Sequence, residues 1–302
     1  MIHRQRALIH VTLLLVSLNG SCASLARSDA FLPGRQVGII RSDLVREASG
    51  IVASRRNPGV LWVHNDSGDA ARIYAINAKG EFLGVCNIDG ARCRDWEDIA
   101  IGPGPDPNQH YVYIGDIGDN RGQYREIVVY RVPEPRVGAA APFDTMTVGP
   151  VEMIRLTYPD GPRDAETLLV DPLTRDMYII SKREWRSRVY RAAFPQSTTQ
   201  QTTMEQVAVM PWGFAVAGDV SPDGRRVVVR GMFNASLWVR PVGAPLWRVF
   251  GGKQIQLPLI DEPQGEGICF DSRGAGYFTI GEMHRPPLHY FAATEPNVSH
   301  RR

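Results

Sequence analysis

Five short segments of this 302-residue chain repeat one pattern: a small or acidic residue, an apolar run of β-type residues, a turn, and a second run ending in polar residues. They are centred on Ser49 (Glu47-Ala48-Ser49-Gly50-Ile51), Glu97 (Asp95-Trp96-Glu97-Asp98-Ile99), Glu166 (Asp164-Ala165-Glu166-Thr167-Leu168), Gly218 (Val216-Ala217-Gly218-Asp219-Val220) and Glu266 (Gln264-Gly265-Glu266-Gly267-Ile268). The spacings are 48, 69, 52 and 48 residues. A period near 50 marks stacked or radial β-repeats, so five distant positions are expected on one ring.

The segments between these points read as strands. Gly59–His64, Arg72–Asn77, His110–Gly115, Ile127–Val132, Met177–Ser181, Arg188–Ala192, Arg226–Arg230, Ala235–Arg240, Gly276–Gly281 and Pro287–Phe291 are rich in Val, Ile, Tyr and Trp. Gly, Pro, Asn and Asp bound them, and helix-period apolar stretches are almost absent. The expected fold is all-β: a β-propeller of five four-stranded blades. The fifth repeat runs out after its third strand, and the spare strand Gln36–Arg41 is expected to complete that blade and close the ring. A six-bladed ring would need a hidden repeat in the 69-residue gap between Glu97 and Glu166, where Pro133–Phe143 reads as a loop. Trp62, Trp185 and Trp238 are expected to pack between blades.

Residues 1–23 have the layout of a signal peptide. Arg4 and Arg6 precede an apolar stretch from Ala7 to Leu18, and small residues follow. Cys22 also reads as a lipid-attachment cysteine, although Asn19 stands where that pattern has Leu. A secreted or periplasmic location follows as an expectation, with a lipid anchor as the alternative to release. The propeller is expected over 30–291, as a monomer, with a disordered tail over 292–302. No segment is long and apolar enough for a transmembrane helix. The formal net charge is +2, and Arg4 and Arg6 carry the excess. The rest is near neutral, which argues against nucleic acid as a charge-driven partner. In an oxidising compartment Cys86 and Cys93 are placed for a local disulfide, while Cys269 reads as a buried thiol.

In a propeller the start of each first strand and the end of each second strand meet on one face. The first set is Ser49, Glu97, Glu166, Gly218 or Asp219, and Glu266. In the second set Asp66, Asp116, Lys182, Gly231 and Glu282 align. Carboxylates that converge on one axis repel, so they take up protons or surround a cation. Oxygen donors without His or Cys favour Ca²⁺, with Ser49, Glu97, Glu166 and Glu266 as the metal set. The alternative is that these glutamates bind backbone N–H groups and join the blades.

The residues of the inner ring resemble those of the soluble calcium-activated nucleotidases, or apyrases. In that family five blades each place a Ser or Glu on the axis in the order Ser, Glu, Glu, Ser, Glu. Asp95-Trp96-Glu97, Asp164-Ala165-Glu166, Gly265-Glu266-Gly267-Ile268 and Asn65-Asp66-Ser67-Gly68 are similar to family segments. A looser resemblance extends to phytase-like calcium-centred propellers. The resemblance implies a resident Ca²⁺ and hydrolysis of a phosphorylated small molecule. Gly218 departs from the fourth-blade Ser, and an Arg of the first-blade turn is missing.

On this reading Asp66 or Asp116 orients or deprotonates a water. Lys182, Arg183 and Arg230 neutralise developing charge, and His64, Asp69, Asp119, Asn120, Glu282 and His284 complete a substrate-binding set. The acids taken singly also read as ordinary turn residues. The other class of function is a non-catalytic envelope propeller that docks a small-molecule or cell-envelope ligand and keeps Ca²⁺ as a structural pin.

Overall fold

A computed structural model describes residues 30–138 and 142–294; the expected signal segment and the end of the tail lie outside them. Among the described residues twenty-two strands form five sheets, and the architecture is a five-bladed β-propeller. Blade I runs from the axis outward as β2 (Ala48–Ala53), β3 (Val60–Asn65), β4 (Arg72–Asn77) and β5 (Phe82–Ile88). Blade II is β6 (Trp96–Pro103), β7 (His110–Asp116), β8 (Ile127–Pro133) and β10 (Glu152–Thr157). Blade III is β11 (Ala165–Val170), β12 (Met177–Ser181), β13 (Arg188–Ala192) and β15 (Glu205–Val209). Blade IV is β16 (Ala215–Val220), β17 (Arg226–Gly231), β18 (Ala235–Val239) and β19 (Ile255–Gln256). Blade V is β20 (Gly265–Phe270), β21 (Gly276–Gly281) and β22 (Pro287–Ala292), and it ends on β1 (Arg35–Ile39).

The expected closure is therefore present. β1 runs antiparallel to β22, and Phe31 bridges Ala293, so the ordered sheet reaches past the expected start of the tail at 292. Two further strands come from neighbouring repeats. β9 (Met146–Val148) leaves the path of blade II to lie parallel to β5, and β14 (Thr202–Thr203) leaves blade III to lie parallel to β10. The long second spacing is used here: Glu134–Gly138 carries no strand, and β9 follows it. These short additions cover backbone edges that would otherwise face solvent.

The innermost strands lie side by side around the axis, β2 on β6, β6 on β11, β11 on β16, β16 on β20 and β20 back on β2. Buried on both faces, they are largely apolar where they pack, with Asp98 and Asp219 as buried exceptions. The core is five wedges, one between each pair of neighbouring blades. Trp62 lies in the wedge between blades I and II, and Trp238 between III and IV. Trp185 corrects the expectation for its group: it is 90% exposed, with its ring edge to face against Phe214.

The expected disulfide is also absent, since Cys86 and Cys93 are free thiols. Cys86 is fixed in β5 opposite Ile73, while the Cys93 thiol donates to the Asp66 carbonyl. Among the described residues no helix is long and apolar enough to cross a membrane.

Candidate metal centre

The site begins with a backbone irregularity that all five innermost strands share. Ala48 pairs with Asn65 and Gly50 with His64, which leaves Ser49 as an extra residue in a β-bulge. The same shift leaves out Glu97, Glu166, Val216 and Glu266. A bulge bends its strand and re-aims a side chain.

The bulges also correct the alignment of the fourth repeat, where the position belongs to Val216, two residues before Gly218. Gly218 sits in the regular ladder opposite Val229. Asp219 cannot stand in as a ring ligand, because its carboxylate accepts the N–H groups of Val220 and Phe270 at 2.8 and 2.9 Å. The second set needs a similar correction. Asp66, Lys182 and Glu282 follow the strand residues Asn65, Ser181 and Gly281, and their equivalents are Ile117 and Met232 rather than Asp116 and Gly231.

Five carboxylates gather at the mouth of the ring. Asp66, Asp95 and Glu97 each bring one oxygen within 4.8 Å of the others, and so do Glu97, Asp164 and Glu166. Glu97 belongs to both groups. Lys182 forms an ion pair with Glu166. Glu266 is in neither group and is tied to them by charge, chiefly through Lys182. The Ser49 hydroxyl donates to the Glu97 carbonyl at 2.7 Å and so links blades I and II.

Burial and mutual repulsion govern the protonation of this cluster. Glu97 is pushed well above the usual carboxylate range by burial first, then by Glu166, Asp66 and Asp95. Burial lifts Glu166 to about 8 even though Lys182 pulls it down. Burial likewise lifts Glu266 to about 7, and burial with Asp66 and Asp164 lifts Asp95 to about 6. For Lys182 burial opposes the charge, but Glu166 and Glu266 outweigh it and raise the ammonium above its ordinary value.

Neighbouring groups fix the cluster in place. Asp116 accepts the Asp95 N–H at 3.0 Å and pairs with Arg94, so it positions Asp95. Gly118 passes directly beneath the acids. A Cβ there would collide with Glu97 Oε1 and Asp95 Oδ2, so an added side chain would make these carboxylates shift. Asp164 accepts the Asp119 N–H at 2.8 Å and pairs with Arg183 Nε at 2.7 Å, and Arg183 also donates to Asn120. Asp119 spends its own carboxylate on the N–H groups of Gln123 and Tyr124, in the manner of a turn residue.

Of the other expected substrate residues, Glu282 and Arg230 act by charge on Glu266, while His64, Asp69 and His284 are engaged elsewhere. His64 is fully buried beside Trp96, with Nδ1 against the Asn65 carbonyl, and burial lowers its pKa to about 4. Asp69 is held by Arg72, Tyr74 and Asn65 within blade I. Arg230 is buried in an ion pair with Glu262. Glu282 accepts from Gln264, and His284 meets Asp43 at the exposed rim.

Asp95, Asp164 and Gly118 are missing from the sequence-derived set. The first two do carry a signal there. Asp-x-Glu occurs in two repeats, and a strand's period of two puts both acids on one side.

The donor set is all oxygen, and Gly118, having no Cβ, lets Glu97 and Asp95 pack closely against its backbone. These residues therefore fit a hard divalent cation.

In class the molecule is a five-bladed β-propeller with an acidic mouth. No family model matches the chain, and no curated protein matches it. Among solved structures it is similar to Kuenenia stuttgartiensis hydrazine synthase, at 13% identity and a TM-score of 0.40, over 80% of this chain and 75% of that one. A likeness at this level carries no information on the site.

Proposed function

We propose that this protein is a calcium-binding propeller of the cell envelope or exterior, with the ion at the mouth of the ring. The observation that carries this reading is Glu97, shared by two groups of three carboxylates whose oxygens lie within 4.8 Å of one another. Asp66, Asp95, Glu97, Asp164 and Glu166 would hold the ion. The raised proton affinity of Asp66, Asp95, Glu97 and Glu166 is what crowded buried acids show when no cation offsets their charge. Lys182 forms its ion pair with Glu166 and pulls on Glu97 and Asp66 by charge, but their proton affinity stays raised. Export rests on the signal-like residues 1–23.

A hydrolytic role is the second reading, favoured by the cations next to the acids. Bound at this mouth, Ca²⁺ would polarise a phosphoryl oxygen. Arg183, anchored by Asp164 and Asn120 and 54% exposed, would reach a substrate phosphate. Asp66, whose carboxyl burial raises above the usual range, would take a proton from a water.

Calorimetric titration with CaCl₂ tests the first reading. A saturable heat that Glu97→Gln weakens by about tenfold or more supports it, and no heat with the wild-type protein rejects it. Phosphate release from a nucleotide and phytate panel, with and without chelator, tests the second. Calcium binding without release under any condition leaves the non-catalytic propeller.

A further inference from the structure

Blade IV departs from its neighbours wherever they are polar at the mouth. Two residues before the bulge the other blades carry Glu47, Asp95, Asp164 and Gln264, whereas blade IV carries Phe214. At the bulge it has Val216, and beyond the second strand it has Met232. Phe233 follows and is 90% exposed. A large aromatic held in water forgoes roughly 1.5–3 kcal/mol of burial, which a ligand could recover.

This apolar sector borders a cavity of about 530 Å³ between blades IV and V. Met232, Phe233, Leu259 and Ile260 supply apolar walls, and Arg230, Asp261, Glu262 and Glu266 supply the polar lining. The guanidinium of Arg230 is already neutralised by Glu262, which also accepts from Thr279 and meets His289. Among the described residues no ion pair engages the exposed Asp261, and Glu266, whose charge Lys182 offsets in part, adds a second carboxylate. Three acids thus line the cleft with one arginine, and the nearby Lys182 acts by charge on Glu266 among them. An anion gains nothing here, whereas a cation gains two carboxylates and an aromatic face.

We propose that this cleft binds an amphiphilic organic amine, with the ammonium between Asp261 and Glu266 and the apolar skeleton against Phe233 and Met232. No metal ion is needed for this, so the proposal stands or falls apart from the calcium centre. The probes are 2-phenylethylamine and its charge-reversed counterpart 3-phenylpropionate, titrated calorimetrically at pH 8 in chelator.

Saturable binding of the amine and not of the acid is expected. Phe233→Ala should weaken the amine about threefold or more through the lost cation–π face. Asp261→Asn should weaken it by about twofold or more. Both side chains are exposed, so the melting temperature should hold in each variant. Glu97→Gln should bind the amine as the wild type does, which separates this cleft from the acid cluster. Equal binding of the acid, no heat from either probe, or amine binding unchanged by Phe233→Ala overturns the proposal.

Discussion

Single side chains show how this ring tolerates so many acids. Asp98 is fully buried, yet its carboxylate takes the N–H groups of Ile99, Leu168 and Gly218 and ties blades II, III and IV. The blade-joining role considered for the ring glutamates belongs instead to Asp98 and Asp219. Asp98→Ala would orphan three buried donors and should cost about 2–4 kcal/mol in urea unfolding. Lys182 acts differently, as an internal cation for Glu166. Lys182→Met should destabilise the ion-free protein by about 3 kcal/mol at pH 9. The loss should shrink at pH 6, where Glu166 holds a proton. An equal loss at both pH values would refute the pairing. The crowded acids also set a pH slope. Glu166, Glu266 and Asp95 have folded values near 8, 7 and 6, above their unfolded values. Between pH 5 and 8 the folded state therefore binds more protons, so stability falls as pH rises. Melting in chelator should show that fall, and added calcium should reduce it at pH 8. A melting temperature that climbs across this range would contradict the account.

At the scale of elements, the bulge is the device that makes a mouth from ordinary hairpins. Its place could be seen in the sequence wherever an acid occupies it, as at Glu97, Glu166 and Glu266. Blade IV hid it, because Val216 looks like any strand residue and Asp219 draws the eye three positions on. Ten expected strands are present, and Arg72–Asn77, Met177–Ser181, Arg188–Ala192 and Gly276–Gly281 match to the residue. The peripheral strands were harder to read. β9, β14 and β19 are only two or three residues long, and β9 and β14 pair in parallel with strands far away in sequence. Periodicity cannot register so short a segment. The loop after β7 matters for the same site. Gly118→Ala would push Glu97 and Asp95 apart with their flexible ends giving way, so it should cost only about 1 kcal/mol of stability. It should also weaken calcium by about tenfold or more. Unaltered calcium affinity in this variant would show that the acids beneath the mouth do not hold the ion.

For the molecule as a whole, closure decides whether the five sheets behave as one body. Each wedge of core needs both of its blades, and the wedge between blades V and I includes Val37 of β1. A chain that starts after Ile39 loses the outer strand of blade V and should melt at a lower temperature and less cooperatively in calorimetry. A full-length transition in that variant would show that the ring does not depend on its strand clasp. The borrowed strands have a consequence for the chain as it is made. Blade I is complete through Ile88 but receives its outer cover only when Met146–Val148 appears, and blade II likewise waits for Thr202–Thr203. At ordinary rates of synthesis the first interval lasts roughly 3–12 s. During translation the earliest sheets therefore keep a bare flank, and a nascent chain arrested before residue 146 should be the form most readily captured by other strands.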